Sequence, residues 1–325
     1  MRKLEKRYGR LHLCYEAGPT GYGLYRQIIA MGHACEVVAP SLVPKRPGER
    51  VKTNRRDAIT LARLLRAGEL TGIWVPDGVH EAMRDLVRAR EAASEDLRRK
   101  RQQLQSFLLR HSRIFTGRKT WSPAHTRWLT NQKFEHPAQQ IVFQDHVDAV
   151  RDAGERLMRL ETQIKELVPT WSMEPLVAAY QAMRGVSLNV AVTFAVEVGD
   201  VRRFDNPRQL MAFLGLVPSE RSTGDNVKRG GLTLAGNRRA RRVLVEGAWS
   251  YRHPARVTET IQKRLEYLPK VVRDIAWKAQ VRLSKRYRQM TGAGKKAPIV
   301  IAAIAREMAA FLWAIGREVD PRQPA

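Results

Sequence analysis

The sequence predicts an α/β fold at the N-terminus and an all-α fold over the rest of the chain. Three observations support this division. Short apolar runs alternate with a helical pattern between residues 11 and 75, heptad-spaced apolar residues then mark two long helices, and helical periodicity dominates after residue 173. We therefore predict a sheet domain over 1–78, a coiled-coil helical arm over 79–172, a helical domain over 173–270 and C-terminal helices over 271–325.

The N-terminal segment has the order strand, helix, strand, helix, strand. The predicted elements are a strand at 11–17, a helix at 22–31, a strand at 34–39, a basic loop at 44–50, a helix at 55–67 capped by Thr53 or Asn54, and a strand at 72–75. Strands that alternate with helices indicate a parallel sheet with helical crossovers.

The helical arm is predicted from seams of apolar residues on two long helices. The first helix, from His80, has Leu86, Ala93 and Phe107 beside Leu97 and Leu104, and the second, at 139–168, has Val150, Leu157 and Ile164 beside Val147, Leu160 and Leu167. Repeats of seven favour an antiparallel coiled-coil hairpin or a dimerisation arm. A plain pair of core helices is the alternative.

The charge of the chain indicates a polyanionic partner. The 325 residues carry a formal net charge of +26, which favours DNA or RNA, with an anionic membrane surface as the alternative. The most apolar predicted helix, at 298–313, contains Arg306 and Glu307, so we predict no helix that spans a bilayer. Cys14 and Cys35 lie in apolar strands and indicate buried thiols in a reducing cytosol.

Two carboxylates occupy positions where an α/β sheet can hold a hard metal ion. Glu16 ends the first strand, and Asp57 lies in the first turn of the helix at 55–67. The alternative is that Asp57 only complements the helix dipole and that Glu16 is an ordinary strand end.

The stretch 213–249 holds the residues most suited to phosphodiester chemistry. Ser222 and Thr223 lie in a loop of small residues, which Lys228 and Arg229 follow. A basic helix then presents Arg238, Arg239, Arg241 and Arg242. A hydroxyl flanked by arginines suits a nucleophile that meets a phosphate, because arginine binds phosphate oxygens bidentately. The alternative is an ordinary turn followed by a solvated basic face.

A shorter motif precedes that stretch at 183–191 and has the pattern of a helix-hairpin-helix turn. Its Gly185 is predicted to bring backbone amides near a DNA phosphate, since glycine lets the backbone approach closely. The motif therefore adds a second candidate contact to DNA.

Four stretches, in this order, resemble one family of proteins. They are YEAGPTGYGLYRQ at 15–27, VAPSLVPKRPGERVKTNRRDAITLARLLRAGEL at 38–70, RFDNPRQLMAFLGLVPSERSTG at 203–224 and GGLTLAGNRRARRVLVEGAW at 230–249. The chain resembles the insertion-sequence transposases that pair a RuvC-like DEDD domain with a serine-bearing transposase domain. Relatives of that family include Piv-type DNA invertases and RNA-guided bridge recombinases.

The resemblance implies an RNase H-like (RuvC-like) sheet domain with four acidic residues that bind Mg²⁺. Glu16 is similar to the second acid and Asp57 to the fourth, while Asn54 stands where the third is expected. Too little chain precedes Glu16 for the strand that bears the first acid, so we expect an N-terminally incomplete domain, weak Mg²⁺ binding and impaired activity. Ser222 is similar to the serine nucleophile, with Thr223 as the alternative.

The resemblance also implies how such a protein acts. The serine attacks a DNA phosphodiester and forms a covalent phosphoserine link, so strands are exchanged without ATP. The partners implied are element-end and target DNA, a structured guide RNA in some members, and copies of the chain in a homodimer or homotetramer. The implied location is the bacterial cytoplasm, in association with the nucleoid and not with a membrane. The alternatives are a nucleic-acid-binding remnant without catalysis and a RuvC-like nuclease that acts without the serine.

Overall fold

The structure, a computed structural model, describes residues 2–41, 43–44 and 53–321. The chain divides into two compact units, Met1–Asp77 and Gly78–Ala325. Within the described ranges most residues are helical, and each unit contains a two-stranded sheet. The predicted basic loop at 44–50 lies outside the described residues except for its first residue.

The first unit is built on a parallel pair of strands. Its elements are α1 (Arg2–Tyr8), β1 (His12–Glu16), α2 (Gly23–Ala30), β2 (Ala34–Val38) and α3 (Asn54–Ala67). β1 and β2 pair along their whole length, so Glu16 lies opposite Val38, and α2 makes the crossover. Thr53 is the cap of α3, because its side chain accepts a hydrogen bond from the Arg56 amide at 3.3 Å. The α/β pattern predicted for these elements is confirmed.

The third strand predicted at 72–75 is wrong. In the part of the chain that the structure describes, this segment forms a single antiparallel bridge between Val38 and Gly72. The Ile73 amide donates to the Val37 carbonyl at 2.7 Å. Pro76, which has no amide hydrogen to donate to a ladder, follows this segment directly.

The second unit begins with a long helical hairpin, here called the arm. Its helices are α4 (Gly78–Arg110), α5 (Pro123–Thr130) and α6 (Pro137–Leu167). Arg90 Nε lies 2.9 Å from Glu161 Oε1, while the Phe107 and His146 rings lie 5.5 Å apart. As the residue number rises along α4 from 90 to 107, the number of the contacted residue on α6 falls from 161 to 146. The two helices are therefore antiparallel. The two long helices are confirmed, and coiled-coil geometry between them stays a prediction.

The rest of the second unit is a helical body. Its elements are α7 (Glu174–Tyr180), α8 (Leu188–Val198), α9 (Pro207–Phe213), β3 (Pro218–Glu220), β4 (Arg229–Leu232), α10 (Arg238–Ala248), α11 (Glu259–Leu265), α12 (Lys270–Gly292) and α13 (Ala297–Arg317). Short 3₁₀ turns occur at Val168–Thr170, Val201–Arg203 and Trp249–Arg252. One continuous core reaches from Met83 on α4 through Phe194 on α8 to Met308 on α13. Residues of all three predicted helical segments therefore share one core.

α13 is long and apolar enough to cross a membrane if length and composition alone are considered. Burial in the protein core also accounts for this apolar composition. Ile304, Met308 and Leu312 are fully buried in the core of the second unit. In the described structure α13 is thus a core helix.

Candidate functional site

Ser222 and Thr223 lie near the end of an antiparallel β-hairpin, whereas the sequence predicted a plain loop. β3 and β4 form the base of this hairpin, which we call the serine hairpin (residues 218–232). Every residue from 219 to 231 is exposed. The serine hairpin is therefore open to a macromolecular partner along most of its length.

Backbone hydrogen bonds hold the end of the serine hairpin together. The Arg221 amide donates to the Lys228 carbonyl at 2.8 Å, and the Thr223 and Asn226 backbones exchange two hydrogen bonds of 3.2 Å. Gly224 opens the turn with φ at +57°, a conformation that favours glycine. The turn thus fixes the strand that carries Ser222 and Thr223.

Ser222 and Glu220 form a hydrogen-bonded pair on one face of the serine hairpin. Alternate residues of a strand point to the same side, so the two side chains meet although Arg221 separates them. Ser222 Oγ donates to Glu220 Oε1 at 2.7 Å, and Arg229 Nε on the opposite strand lies 3.5 Å from Glu220 Oε2. The hydrogen bond from Ser222, followed by the contact with Arg229, holds the pKa of Glu220 below its usual range. The hydroxyl of Ser222 therefore has an ionised acceptor.

One arginine of α10, Arg241, donates a hydrogen bond to a backbone carbonyl within the protein. Arg241 Nη1 donates to the Leu214 carbonyl at 2.7 Å, just beyond the end of α9. Burial lowers the pKa of the Arg241 guanidinium, and the charge of Arg238 lowers it further. Arg241, which the sequence suggested as a phosphate contact, instead ties α10 to the segment that leads into the serine hairpin.

The other arginines of α10 differ in how strongly the protein holds them. Arg239 and Arg242 both contact Glu91 on α4, at 2.6 Å and 3.2 Å, and Arg242 also lies 2.7 Å from Glu246. Arg238 is exposed. A phosphate can reach Arg238 directly, whereas at Arg239 and Arg242 it would compete with a carboxylate.

A buried carboxylate, Glu197 on α8, fixes the start of α10. Arg88 on α4 donates to both of its oxygens, at 2.8 Å and 3.0 Å, and Asn237 Nδ2 donates to Oε2 at 2.8 Å. Asn237 also caps α10 by accepting from the Ala240 amide at 3.0 Å. Burial acts to raise the pKa of Glu197, but the hydrogen bonds from Arg88 and Asn237 and the charge of Arg84 hold it below its usual value.

The arm and α10 enclose a basic groove that sequence reasoning missed. It has a volume of about 880 Å³, and its lining carries four arginines, Arg98 and Arg101 of α4 and Arg238 and Arg242 of α10, against two carboxylates, Glu95 and Glu246. The Arg101 guanidinium stacks on the Trp121 ring, 4.8 Å from its centre. We call this feature the arm groove. The basic run at 98–101 was its only sequence signal, and nothing in that run indicates Trp121.

Glu16 and Asp57 lie on β1 and α3, two elements of the first unit that contact each other. Cys14 Sγ lies 3.8 Å from the Leu61 carbonyl. Glu16 shares the side of β1 on which Cys14 lies, and Asp57 precedes Leu61 by one helical turn. Asn54 begins α3, one turn before Asp57, and is exposed.

This donor set is sparse. Within the described ranges no three His, Cys, Asp or Glu side chains cluster as metal ligands. Two carboxylates, Glu16 and Asp57, and the Asn54 amide oxygen are nevertheless donors of the type that Mg²⁺ takes, since this ion is often held by one or two carboxylates and keeps several waters.

Gly185 has a role in packing that the sequence did not indicate. A Cβ at this position would lie 2.2 Å from the Gly247 carbonyl oxygen on α10, and Gly185 has φ at +81°. The glycine therefore lets the loop before α8 meet α10 backbone to backbone. The predicted phosphate contact at Gly185 is not needed to explain this residue.

Comparison with known proteins finds two matching families. Residues 178–262 match the family described as "Transposase IS116/IS110/IS902 family". Residues 5–112 match a second family, described as "Transposase", of the IS110 DEDD type. The first match contains the serine hairpin and α10, and the second contains β1, α3 and α4.

Relatives that align over most of this chain are transposases or a gene-inverting protein. A putative transposase of Sinorhizobium fredii, y4qE, is 56% identical over 318 residues, which cover 98% of this chain and 78% of the relative. The transposase for insertion sequence element IS1533 of Leptospira borgpetersenii is 33% identical over 91% of this chain and 86% of its own length. The pilin gene-inverting protein of Moraxella bovis is 22% identical over 96% of this chain and 81% of its own length. The chain therefore belongs to the IS116/IS110/IS902 family of DEDD-type insertion-sequence transposases.

Proposed function

We propose that this transposase cleaves and rejoins DNA strands through the hydroxyl of Ser222. The observation that carries the proposal is the exposed Ser222 hydroxyl, which donates to the Glu220 carboxylate on a projecting basic hairpin. A serine hydroxyl is a weak nucleophile, and an adjacent base activates it. Attack on a phosphodiester replaces one P–O bond by another, so the phosphoserine link keeps the energy needed to rejoin the strand.

The DNA would lie along cationic residues of the second unit. Lys228 and Arg229 on the serine hairpin and Arg238 at the start of α10 are exposed to receive phosphates. In the arm groove, Arg101 and Trp121 offer a charge and an aromatic face, the combination that binds an unpaired strand by stacking. A structured guide RNA is the second polyanion that this groove suits, and nuclease treatment of the purified chain would distinguish the two.

The first unit would supply the divalent metal that the DEDD family implies. We propose Mg²⁺, held by Glu16 and Asp57 with the Asn54 amide oxygen. Bound there, the ion would neutralise charge on a phosphate oxygen during strand cleavage. A third carboxylate at position 54 would strengthen the site, because Mg²⁺ is held mainly by anionic oxygen.

Two duplexes must be cut and joined in strand exchange, so we propose a homodimer or homotetramer. The arm is the candidate contact. It exposes Ile141 at 69%, Met158 at 64% and Leu109 at 63%, which are unusual levels for large apolar side chains. Analytical ultracentrifugation of the wild-type chain and of an Ile141→Lys, Met158→Lys variant tests this, and equal masses for the two would contradict it.

A second candidate function is nucleic-acid binding without strand cleavage. The observation that favours it is Asn54, an amide at the position where the family resemblance implies an acid. Both functions predict binding that weakens steeply with salt, so binding alone does not separate them.

A covalent trap separates them. The chain would be incubated with Mg²⁺ and end-labelled duplex DNA. In this DNA, the sequence upstream of the gene for this chain is joined directly to the sequence downstream of it. Covalent protein–DNA adducts would be resolved on a denaturing gel. We expect an adduct whose modified peptide contains phosphorylated Ser222. Ser222→Ala should abolish it, whereas Ser219→Ala, an exposed serine of the same hairpin, should not. An adduct that survives Ser222→Ala but not Thr223→Ala would move the nucleophile by one residue, and no adduct at all would favour the second function.

A further inference from the structure

We propose that Glu220 is the general base that takes the proton from Ser222. The inference rests on the proposed function, because it names the group that activates the proposed nucleophile. Glu220 touches the reacting atom directly, since Ser222 Oγ donates to Glu220 Oε1 at 2.7 Å. That distance lies within the range in which a base accepts a proton in one step.

The geometry follows from the fold of the serine hairpin. Glu220 ends β3, and Ser222 follows two residues later in the paired segment between β3 and the turn, where alternate side chains still point to the same side. The other acid of the hairpin, Asp225, lies in the turn and does not accept the Ser222 hydroxyl. Asp225 therefore provides a matched control, as a carboxylate with similar exposure on the same hairpin.

Arg229 adds to the effect that the Ser222 hydrogen bond has on Glu220. The guanidinium lies 3.5 Å from Glu220 Oε2 and favours the ionised carboxylate in the free protein, after the larger contribution of Ser222. A DNA phosphate competes for the same guanidinium, because arginine pairs with phosphate oxygens at least as well as with carboxylate. Phosphate binding would draw Arg229 away and raise the basicity of Glu220 when the substrate is in place.

The proposed step balances in atoms and charge. The Ser222 hydroxyl proton moves to Glu220 Oε1 while Oγ bonds to phosphorus, and the bond from phosphorus to one bridging sugar oxygen breaks. The leaving sugar oxygen takes a proton from water, and protonated Glu220 returns one to water. In the reverse step Glu220 takes a proton from water, the sugar hydroxyl attacks the phosphoserine and loses its proton to water, and Glu220 passes its proton to the leaving serine oxygen as the bond from phosphorus to Oγ breaks.

The rate of adduct formation between pH 6 and 9 tests this role. The lowered pKa of Glu220 keeps it ionised over this range, so the wild-type rate should be flat with pH. Glu220→Gln keeps the shape but accepts no proton, and its rate should fall about 10²–10⁴-fold at pH 7 and then rise about tenfold per pH unit. Asp225→Asn should behave as wild type. A Glu220→Gln rate and pH profile equal to wild type would overturn the proposal.

Two further measurements separate failure of this inference from failure of the proposed function. Loss of the adduct in Ser222→Ala, with Glu220→Gln unaffected, rejects only the base, whereas an adduct retained in Ser222→Ala rejects the nucleophile itself. The second measurement needs no catalysis. In a Ser222→Cys chain, a neighbouring carboxylate raises the thiol pKa, so adding Glu220→Gln should speed alkylation at pH 7.5 about three- to fivefold. Adding Asp225→Asn should not, and equal rates in all three chains would refute the pairing.

Discussion

Replacement of Glu197 by glutamine tests whether this buried carboxylate holds the arm, α8 and α10 together. Its side chain is only 2% exposed and bonds Arg88 of α4 and Asn237 before α10. Glutamine has nearly the same shape, so the substitution removes charge and one acceptor while leaving the packing intact. The measured loss therefore reports the electrostatic contribution of the carboxylate.

The expected loss follows from the contacts. Arg88 donates two hydrogen bonds to Glu197, at 2.8 Å and 3.0 Å, and bonds to charged groups contribute about 1.5–3 kcal/mol each. Glutamine keeps one acceptor oxygen, so about one such bond is lost. Breaking a fully buried ion pair costs about 3–5 kcal/mol. The Arg88 side chain is 40% exposed, so water can solvate its guanidinium in the variant and offset part of this cost. We therefore expect the free energy of unfolding to fall by about 2–4 kcal/mol at pH 7.

The sign of the pH dependence is fixed by the pKa of Glu197. Its folded pKa is held below the ordinary value of 4.5, so the carboxylate contributes its stability above that pH. The contribution is lost as the pH falls through the folded pKa, where the wild-type carboxyl also becomes neutral. The difference between wild type and Glu197→Gln should therefore be constant from pH 8 down to about pH 5 and should shrink at lower pH.

Urea unfolding of both chains at pH 7 and pH 4 measures these quantities. Near-ultraviolet circular dichroism reports the core of the second unit, where Trp171 is 2% exposed. Glu95→Gln is the control, an exposed acid on α4, the helix that carries Arg88, and its effect should stay within about 0.5 kcal/mol. A loss below about 1 kcal/mol for Glu197→Gln, or a loss that does not shrink in acid, would refute the reasoning.

Three further predictions follow from other parts of the structure. Gly185→Ala should lower the free energy of unfolding by at least about 2 kcal/mol, because its Cβ would lie 2.2 Å from a helix carbonyl, whereas Gly154→Ala, which meets open space within α6, should be neutral or stabilising in the same urea assay. Asn54→Asp should tighten Mg²⁺ binding about tenfold in calorimetry by adding an anionic ligand, and equal affinities for the two chains would contradict the proposed site. Arg229→Ala should reduce the slope of log K against log salt for DNA binding by about 0.9, while Arg241→Ala should lower the thermal midpoint and leave the slope unchanged.

The long helices were predictable because their signal is repeated many times. Leu97, Leu104 and Phe107 are buried on α4, as their heptad spacing indicated, and Ile164 is buried on α6. A single apolar seam over more than four turns outweighs the scattered polar interruptions. α5 has only eight residues and one clear signal, the cap at Ser122, so periodicity alone did not reveal it.

The serine hairpin was not predictable for the opposite reason. β3 has three residues and β4 has four, and Gly230 and Gly231 supply no side chains for an alternating pattern. The turn at Gly224 gave a signal, but a glycine turn suits a loop as well as a hairpin. Residue types indicated a possible nucleophile, whereas the partner of Ser222 became visible only when strand geometry placed Glu220 on the same side.

The contact set around Glu197 shows why long-range sites escape sequence reasoning. Arg88 precedes Glu197 by 109 residues, and Asn237 follows it by 40. No local pattern relates these three residues, because each belongs to a different helix end or face. They meet only because α4, α8 and α10 pack around the same core.

Carboxylates pair with three of the arginines that the sequence assigned to phosphate. Glu91 holds Arg239 and Arg242, and Glu220 contacts Arg229, at distances between 2.6 Å and 3.5 Å. If DNA takes these arginines, one charge-assisted pair replaces another, so the pairing itself adds little net affinity. The driving force must then come largely from counterions released by the DNA, and this entropy gain disappears as salt rises. The same exchange removes the cation from Glu220, so the basicity of the proposed base rises when a phosphate binds Arg229.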